Sequence, residues 1–223
     1  MSELRSLKKL LVANRGEIAL RVMKTAKKMG LSTVAVYTDA DKLSPHVNYA
    51  NQSVNIGKGP IADSYLSIEK IIEVALSTEC DAVHPGYGFL SENSDFAEAC
   101  EKAKITFVGP SSKAIDAMGN KAKAKVIMKE AGVPCIPGAE VESKNDRELQ
   151  MAAESVGFPL MIKAAAGGGG RGMRLVNNIS NLQKNCEIAK AEALSAFGSS
   201  EIILEKSIVE PRHIEIQIMA DNF

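Results

Sequence analysis

Apolar residues follow one rhythm along the first half of the chain and another along the second. Lys8 to Ala13 is a short apolar run that predicts a buried strand, and Asn14-Arg15-Gly16 reads as a turn. From Glu17 to Met29, Ile18, Val22, Ala26 and Met29 recur at helical spacing; Glu17 sits at the positive end, Lys27-Lys28 at the negative end, and Gly30 terminates the helix. Strands at Thr33 to Tyr37, Ser53 to Ile56, Asp81 to His84 and Thr106 to Val108 then alternate with helices at Ile68 to Leu76 and Ser94 to Ala103. Strands alternating with helices predict a doubly wound parallel sheet.

The pattern breaks after Gly109-Pro110-Ser111-Ser112. Helices at Lys113 to Met118 and Ala122 to Ala131 lead into the turn-rich stretch Gly132 to Gly138. Beyond it come a helix at Arg147 to Val156, a strand at Leu160 to Ala164, a glycine loop, and a strand at Met173 to Val176. A helix at Ile179 to Phe197 and strands at Glu201 to Lys206 and Arg212 to Ala220 complete the order. In the last strand Ile214, Ile216 and Ile218 alternate with His213, Glu215 and Gln217, which predicts one core face and one polar face. The expected fold class is therefore α/β, a parallel-sheet domain over residues 1–114 followed by an α+β region over residues 115–223.

The glycine loop carries the sharpest chemistry. Gly167 to Gly170 are consecutive, Arg171-Gly172 closes the run, and Lys163 stands at its root. Backbone N–H groups without side chains can approach an anion closely, and a lysine adds a full positive charge, so a nucleotide polyphosphate is the expected ligand. Gly167 and Gly172 have P-loop spacing, but Met173-Arg174 stands where a P-loop has Lys-Ser/Thr. Strand, loop and strand make a flap over phosphates rather than a helix cap. A lysine ending a strand as apolar as Leu160-Met161-Ile162 needs a ligand or a partner, and Glu205 is the candidate partner for a purely structural ion pair.

Composition narrows the classes. Of 223 residues 45% are hydrophobic and 24% charged, as in ordinary globular domains, and 27 basic residues balance 27 acidic ones. No net field points to nucleic acid or an anionic membrane, so any anion site is local. Cys80, Cys100, Cys135 and Cys186 lack metal-type spacing and read as reduced thiols of a cytoplasmic protein. No apolar stretch reaches the ~20 residues of a membrane span. A dinucleotide-binding reading fails at the first turn, because Val12-Ala13-Asn14-Arg15-Gly16-Glu17 holds one glycine where that fingerprint has three.

Leu11 to Ala19 (LVANRGEIA), His84 to Asn93 (HPGYGFLSEN), Phe107-Val108-Gly109-Pro110, Met118-Gly119-Asn120-Lys121, Lys163 with its glycines, and Arg212 to Gln217 (RHIEIQ) together resemble the biotin carboxylase component of biotin-dependent carboxylases. The motifs are in order over nearly the whole chain. The resemblance implies an ATP-grasp ligase in which ATP activates bicarbonate through carboxyphosphate and the carboxyl passes to biotin on a carrier domain. It implies that Lys121 and Lys163 bind phosphates, that Gly169 and Gly170 cover them, and that Met173 packs near the adenine. Glu205, Lys206 and Ile208 would form the hinge reading the adenine edge, His213 would stand at the nucleotide and biotin end, and Tyr87-Gly88 would line the biotin side. The family usually has Asp where this chain has Asn120, which leaves Lys121 in register.

The resemblance also implies a biotin-carrier partner, a carboxyltransferase component and a homo-oligomer. The family's magnesium-binding glutamates, bicarbonate-binding arginine and catalytic base are expected beyond residue 223, with the ATP-grasp domain cut at Phe223 and residues 1–223 expected to be inactive alone. Two readings stand at this point: a biotin carboxylase whose nucleotide half-site is in hand, and a non-catalytic nucleotide-binding or assembly module of the same fold. The final acceptor (acetyl-CoA, propionyl-CoA, methylcrotonyl-CoA, pyruvate or urea) belongs to partner domains.

Overall fold

The computed structural model describes residues 6–141, 145–165 and 172–220. The chain divides into two compact units, Met1–Gly119 and Asn120–Phe223.

In the first unit the order is β1 (Lys9–Val12), α1 (Gly16–Lys28), β2 (Ser32–Tyr37), α2 (Pro45–Tyr49), β3 (Gln52–Asn55), α3 (Ile68–Ser77), β4 (Ala82–His84), α4 (Ser94–Lys102), β5 (Thr106–Phe107) and α5 (Ser112–Gly119). The strands form one sheet in the order β3-β2-β1-β4-β5, parallel throughout. Both faces are covered, which is why its central strands read as unbroken apolar runs. Leu11, Ala13, Val34 and Val36 pack with Ile71, Phe96 and Cys100 on one side. Leu10, Val12 and Ala35 pack with Ala19, Met23 and Ala26 of α1 on the other. Side chains cap α3 and α4: Ser67 accepts from the Lys70 N–H and Asn93 from the Phe96 N–H, each satisfying one otherwise unpaired helix donor.

The second unit contains α6 (Lys121–Glu130), β6 (Gly138–Val141), α7 (Asp146–Val156), β7 (Leu160–Ala164), β8 (Arg174–Val176), α8 (Leu182–Phe197) and β9 (Ile202–Lys206). Its sheet runs β6-β9-β7-β8, with every pairing antiparallel. One face, Leu160, Ile162, Val176, Ile202 and Leu204, is buried against Leu149 and Ala153 of α7 and Leu182, Cys186 and Ala189 of α8. The opposite face is left for other work. Asn145 and Asn120 cap α7 and α6 through their side-chain oxygens.

Two expectations need correction. The stretch ending at Gly138 contains a strand start, because Gly138 to Val141 pair with β9. Arg212 to Ala220 is not a strand: residues 207–220 have no regular structure, and Ile214, Ile216 and Ile218 are exposed. Alternation marks a face that wants a core, but a strand forms only against a partner, and no described strand pairs with this segment. Among the described residues no helix is long and apolar enough to cross a membrane.

Candidate functional site

The period of two along β7 sends Leu160, Ile162 and Ala164 into the core and leaves Met161 and Lys163 on the other face. In the register, Met161 lies opposite Glu205 and Lys163 opposite Ile203. Lys163 and Glu205 are thus diagonal neighbours on one face, a spacing that long side chains span. Lys163 Nζ lies 2.6 Å from Glu205 Oε2. A second ammonium meets the other oxygen: Lys125 Nζ, from α6, is 2.8 Å from Glu205 Oε1. Burial alone would raise the Glu205 carboxyl, but hydrogen bonds from Lys125 and Lys163, and their charges, outweigh it and hold the pKa below the ordinary carboxylate value. Two ammonium groups against the Glu205 carboxylate leave a local excess of positive charge at this cluster, as an anion site requires.

Lys121 joins this region through its backbone. Its N–H donates to the Ala165 carbonyl at 3.0 Å, and the Ala165 N–H donates to the Glu201 carbonyl at 2.9 Å. The first turn of α6, the end of β7 and the start of β9 therefore meet at the root of the glycine loop. Asn120 Oδ1 accepts from the Ala122 and Lys123 N–H groups at 2.9 and 3.1 Å, so asparagine keeps the cap that aspartate would make. Beside it, a cleft of about 490 Å³ lined by Asn120, Val126, Ile127, Glu140 and Ile203 separates α6 from the sheet, a size typical of small-molecule sites. Gly169 and Gly170 lie outside the described residues.

Lys206 points to the face opposite Glu205, where its Nζ donates to the Phe158 carbonyl at 2.7 Å, and its N–H donates to the Pro137 carbonyl. Met173 and Ile208 are exposed. His213 is 84% exposed, with Nε2 3.0 Å from Glu215 Oε1. Lys125 was invisible to sequence reading, where it merges into a lysine-rich helix start. The available signal is its spacing: four residues after Lys121, it shares that residue's face of α6.

Tyr87 and Gly88 belong to the first unit, at the carboxyl ends of β1 and β4. The strand order reverses between these two strands, and open α/β sheets bind ligands at that switch point. Asn14, 4% exposed, donates from Nδ2 to the carbonyls of Pro85 and Tyr87, both at 2.8 Å. The Gly86 N–H donates to His84 Nδ1 at 3.0 Å, and burial lowers the His84 pKa, which favours the neutral acceptor. Tyr87 OH donates to Glu17 Oε1 at 2.6 Å from an exposed ring. Arg15 pairs with Asp41 at 3.1 Å and lies over the stacked rings of Tyr65 and Phe89. Burial works to raise the Asp41 carboxyl, but hydrogen bonds from Tyr65, Arg15 and Thr38 overcome it and lower the pKa. Asn14, Arg15, Glu17, Tyr87 and Phe89 border a hollow of about 270 Å³. Among the described residues no three His, Cys, Asp or Glu side chains gather as a metal site. The Glu205 carboxylate on the charged face is already held by two lysines.

Comparison with known proteins follows this division. Residues 6–115 match the family described as biotin carboxylase, N-terminal domain, and residues 120–223 match carbamoyl-phosphate synthase L chain, ATP binding domain. The mitochondrial methylcrotonoyl-CoA carboxylase subunit alpha of Dictyostelium discoideum is 51% identical over 99% of this chain and 32% of its own length. Biotin carboxylase 1 of Bacillus subtilis is 48% identical over 97% of this chain and 48% of its own. The biotin carboxylase domain dimer of Hydrogenobacter thermophilus 2-oxoglutarate carboxylase, solved with MgADP, ADP and bicarbonate, superposes with a TM-score of 0.88 at 46% identity. It covers 92% of this chain and 45% of that one. The chain thus spans less than half the length of these relatives. With both domain matches in sequence and relatives of this kind along nearly its whole length, the chain belongs to the biotin carboxylase family.

Proposed function

We propose that the protein is an ATP-dependent biotin carboxylase. ATP would activate bicarbonate as carboxyphosphate, and the carboxyl group would pass to the ureido nitrogen of biotin on a carrier domain. The observation that carries the reading is the excess positive charge of Lys163 and Lys125 around Glu205, at the root of the glycine loop. In this reading Lys163 and Lys121 hold the phosphates, Gly169 and Gly170 cover them, and Met173 flanks the adenine. The backbone from Glu205 through Lys206 to Ile208 reads the adenine edge, which suits a Lys206 side chain directed to the far face. His213 stands at the nucleotide and biotin end, and Tyr87-Gly88, beside Glu17, presents the biotin side.

Magnesium would neutralise charge on the phosphates when bound. The assignment of residues 1–114 to the pre-ATP-grasp domain and 115–223 to the ATP-grasp domain belongs to the same proposal, as do a biotin-carrier partner, a carboxyltransferase component and a homo-oligomer. The related Hydrogenobacter domain is a dimer, which supports the last of these. Cys80, Cys100, Cys135 and Cys186 are all unpaired thiols, in keeping with a reducing compartment such as the cytoplasm.

The test is ADP release by the whole protein with bicarbonate and biotin each supplied or withheld. The reading predicts release that needs both. ATP hydrolysis indifferent to biotin would overturn it.

A further inference from the structure

Glu205 is pinned from two directions, and the reading above gives the second lysine no contact of its own with the nucleotide. The Lys125 side chain is 17% exposed, Glu205 12% and Lys163 26%, so the carboxylate is the most enclosed of the three charges. An enclosed carboxylate stripped of its only partner is strongly disfavoured. If Lys163 were that only partner, recruiting its ammonium to a phosphate would leave Glu205 uncompensated, and nucleotide binding would work against the ion pair.

The packing leaves room for Lys125 beside Glu205. A Cβ at Gly138, the first residue of β6, would come within 2.7 Å of Lys125 Nζ, 3.2 Å of Glu205 Cγ and 2.5 Å of the Leu204 carbonyl oxygen. Gly138 is register-paired with Glu205, and its missing side chain spares the Leu204 carbonyl first and the Lys125 ammonium beside it. Only glycine leaves that space. Lys125 also lies on α6, whose first residue is tied to Ala165 at the loop root. The ion pair thereby couples the helix to the sheet on both sides of the charged face.

We propose that Lys125 is a positioning residue for nucleotide binding: it holds the charge of Glu205 in balance, so that the Lys163 ammonium is free to turn from the carboxylate to the nucleotide phosphates. The proposal rests on the nucleotide-binding reading above and deepens it. Lys125 acts through Glu205 and touches no phosphate. Its effect falls on ligands with phosphates and not on the adenine nucleoside, and it vanishes when Glu205 is made neutral.

The experiment is calorimetric titration of the whole protein, wild type and Lys125→Met, with ATP, ADP and adenosine, repeated in the Glu205→Gln background. Lys125→Met should weaken ATP and ADP by about tenfold, the factor that 1.4 kcal/mol makes, and leave adenosine unchanged. With Glu205→Gln present, the same substitution should change ATP affinity by less than about twofold. An unchanged ATP affinity in Lys125→Met, an equal loss for adenosine, or an undiminished loss in the Glu205→Gln background would each overturn the proposal. Should Lys125→Met not fold, Lys125→Arg reads the same claim. That variant keeps the charge and should keep ATP affinity, and a tenfold loss with a native melting curve would overturn it. A wild-type protein that binds no ATP refutes the nucleotide reading itself, whereas wild-type binding with unaltered variants refutes the role of Lys125 alone.

Discussion

Asn14 Nδ2 donates to the Tyr87 carbonyl oxygen at 2.8 Å across 73 residues of sequence, and so ties the turn after β1 to the loop after β4. Gly86 leaves room for this bond: a Cβ there would lie 2.8 Å from Asn14 Nδ2 and 3.2 Å from Ile18 Cγ1, on a backbone with φ of +67°. Gly86→Ala therefore combines a left-handed strain with a collision against a buried amide. It should destabilise the protein by about 1–3 kcal/mol, read as a lowered melting temperature. A melt equal to wild type would show that the loop is not held in this way.

Glu205 sets an acid limit. Its folded pKa is depressed below the ordinary 4.5, because two lysines outweigh burial. The folded form therefore binds fewer protons than the unfolded one in the window between the two values. The stabilisation is fully present above the unfolded pKa and is lost as pH falls from about 4.5 through the depressed value. Glu205→Gln should lose about 1–3 kcal/mol at neutral pH and show a flatter stability profile below pH about 4.5. Urea denaturation at stepped pH reads both, and parallel acid limbs in the two proteins would refute the assignment.

Thiol chemistry checks the core. Burial raises Cys80 and pushes Cys100 and Cys186 up to about 11, whereas Cys135 is only half-buried. At mildly alkaline pH a thiol reagent should modify one cysteine of the native protein quickly and the other three only on unfolding, since the thiolate is the reactive form. Fast modification of all four would contradict the packing of the α3–β4 turn, α4 and α8.

Much of this architecture is legible in the sequence, for local reasons. The central strands of the first unit are largely apolar on both faces, and Gly30 marks where α1 ends, so element order follows from pattern. Lys163 and Glu205 are also legible, as charges on otherwise apolar strands that must find partners. Lys125 is not, because an exposed-looking lysine on a helix differs from a buried one only in what folds over it. β6 escapes notice for a similar reason: a strand of four residues beginning with glycine carries too little pattern, and it forms only because β9 offers an edge. The opposite error occurs at Ile214, Ile216 and Ile218, where clear alternation meets no strand to pair with among the described residues.

Lys163 tests the central claim most directly, since it belongs either to the nucleotide or to Glu205 alone. Calorimetric titration of ATP into the whole protein and its Lys163→Ala variant should show binding weakened by about 1.5–3 kcal/mol, the range for a hydrogen bond to a charged group. The fold should persist, because Lys125 still compensates Glu205. An ATP affinity unchanged by Lys163→Ala would place Lys163 outside the site and reduce its pairing with Glu205 to a structural ion pair.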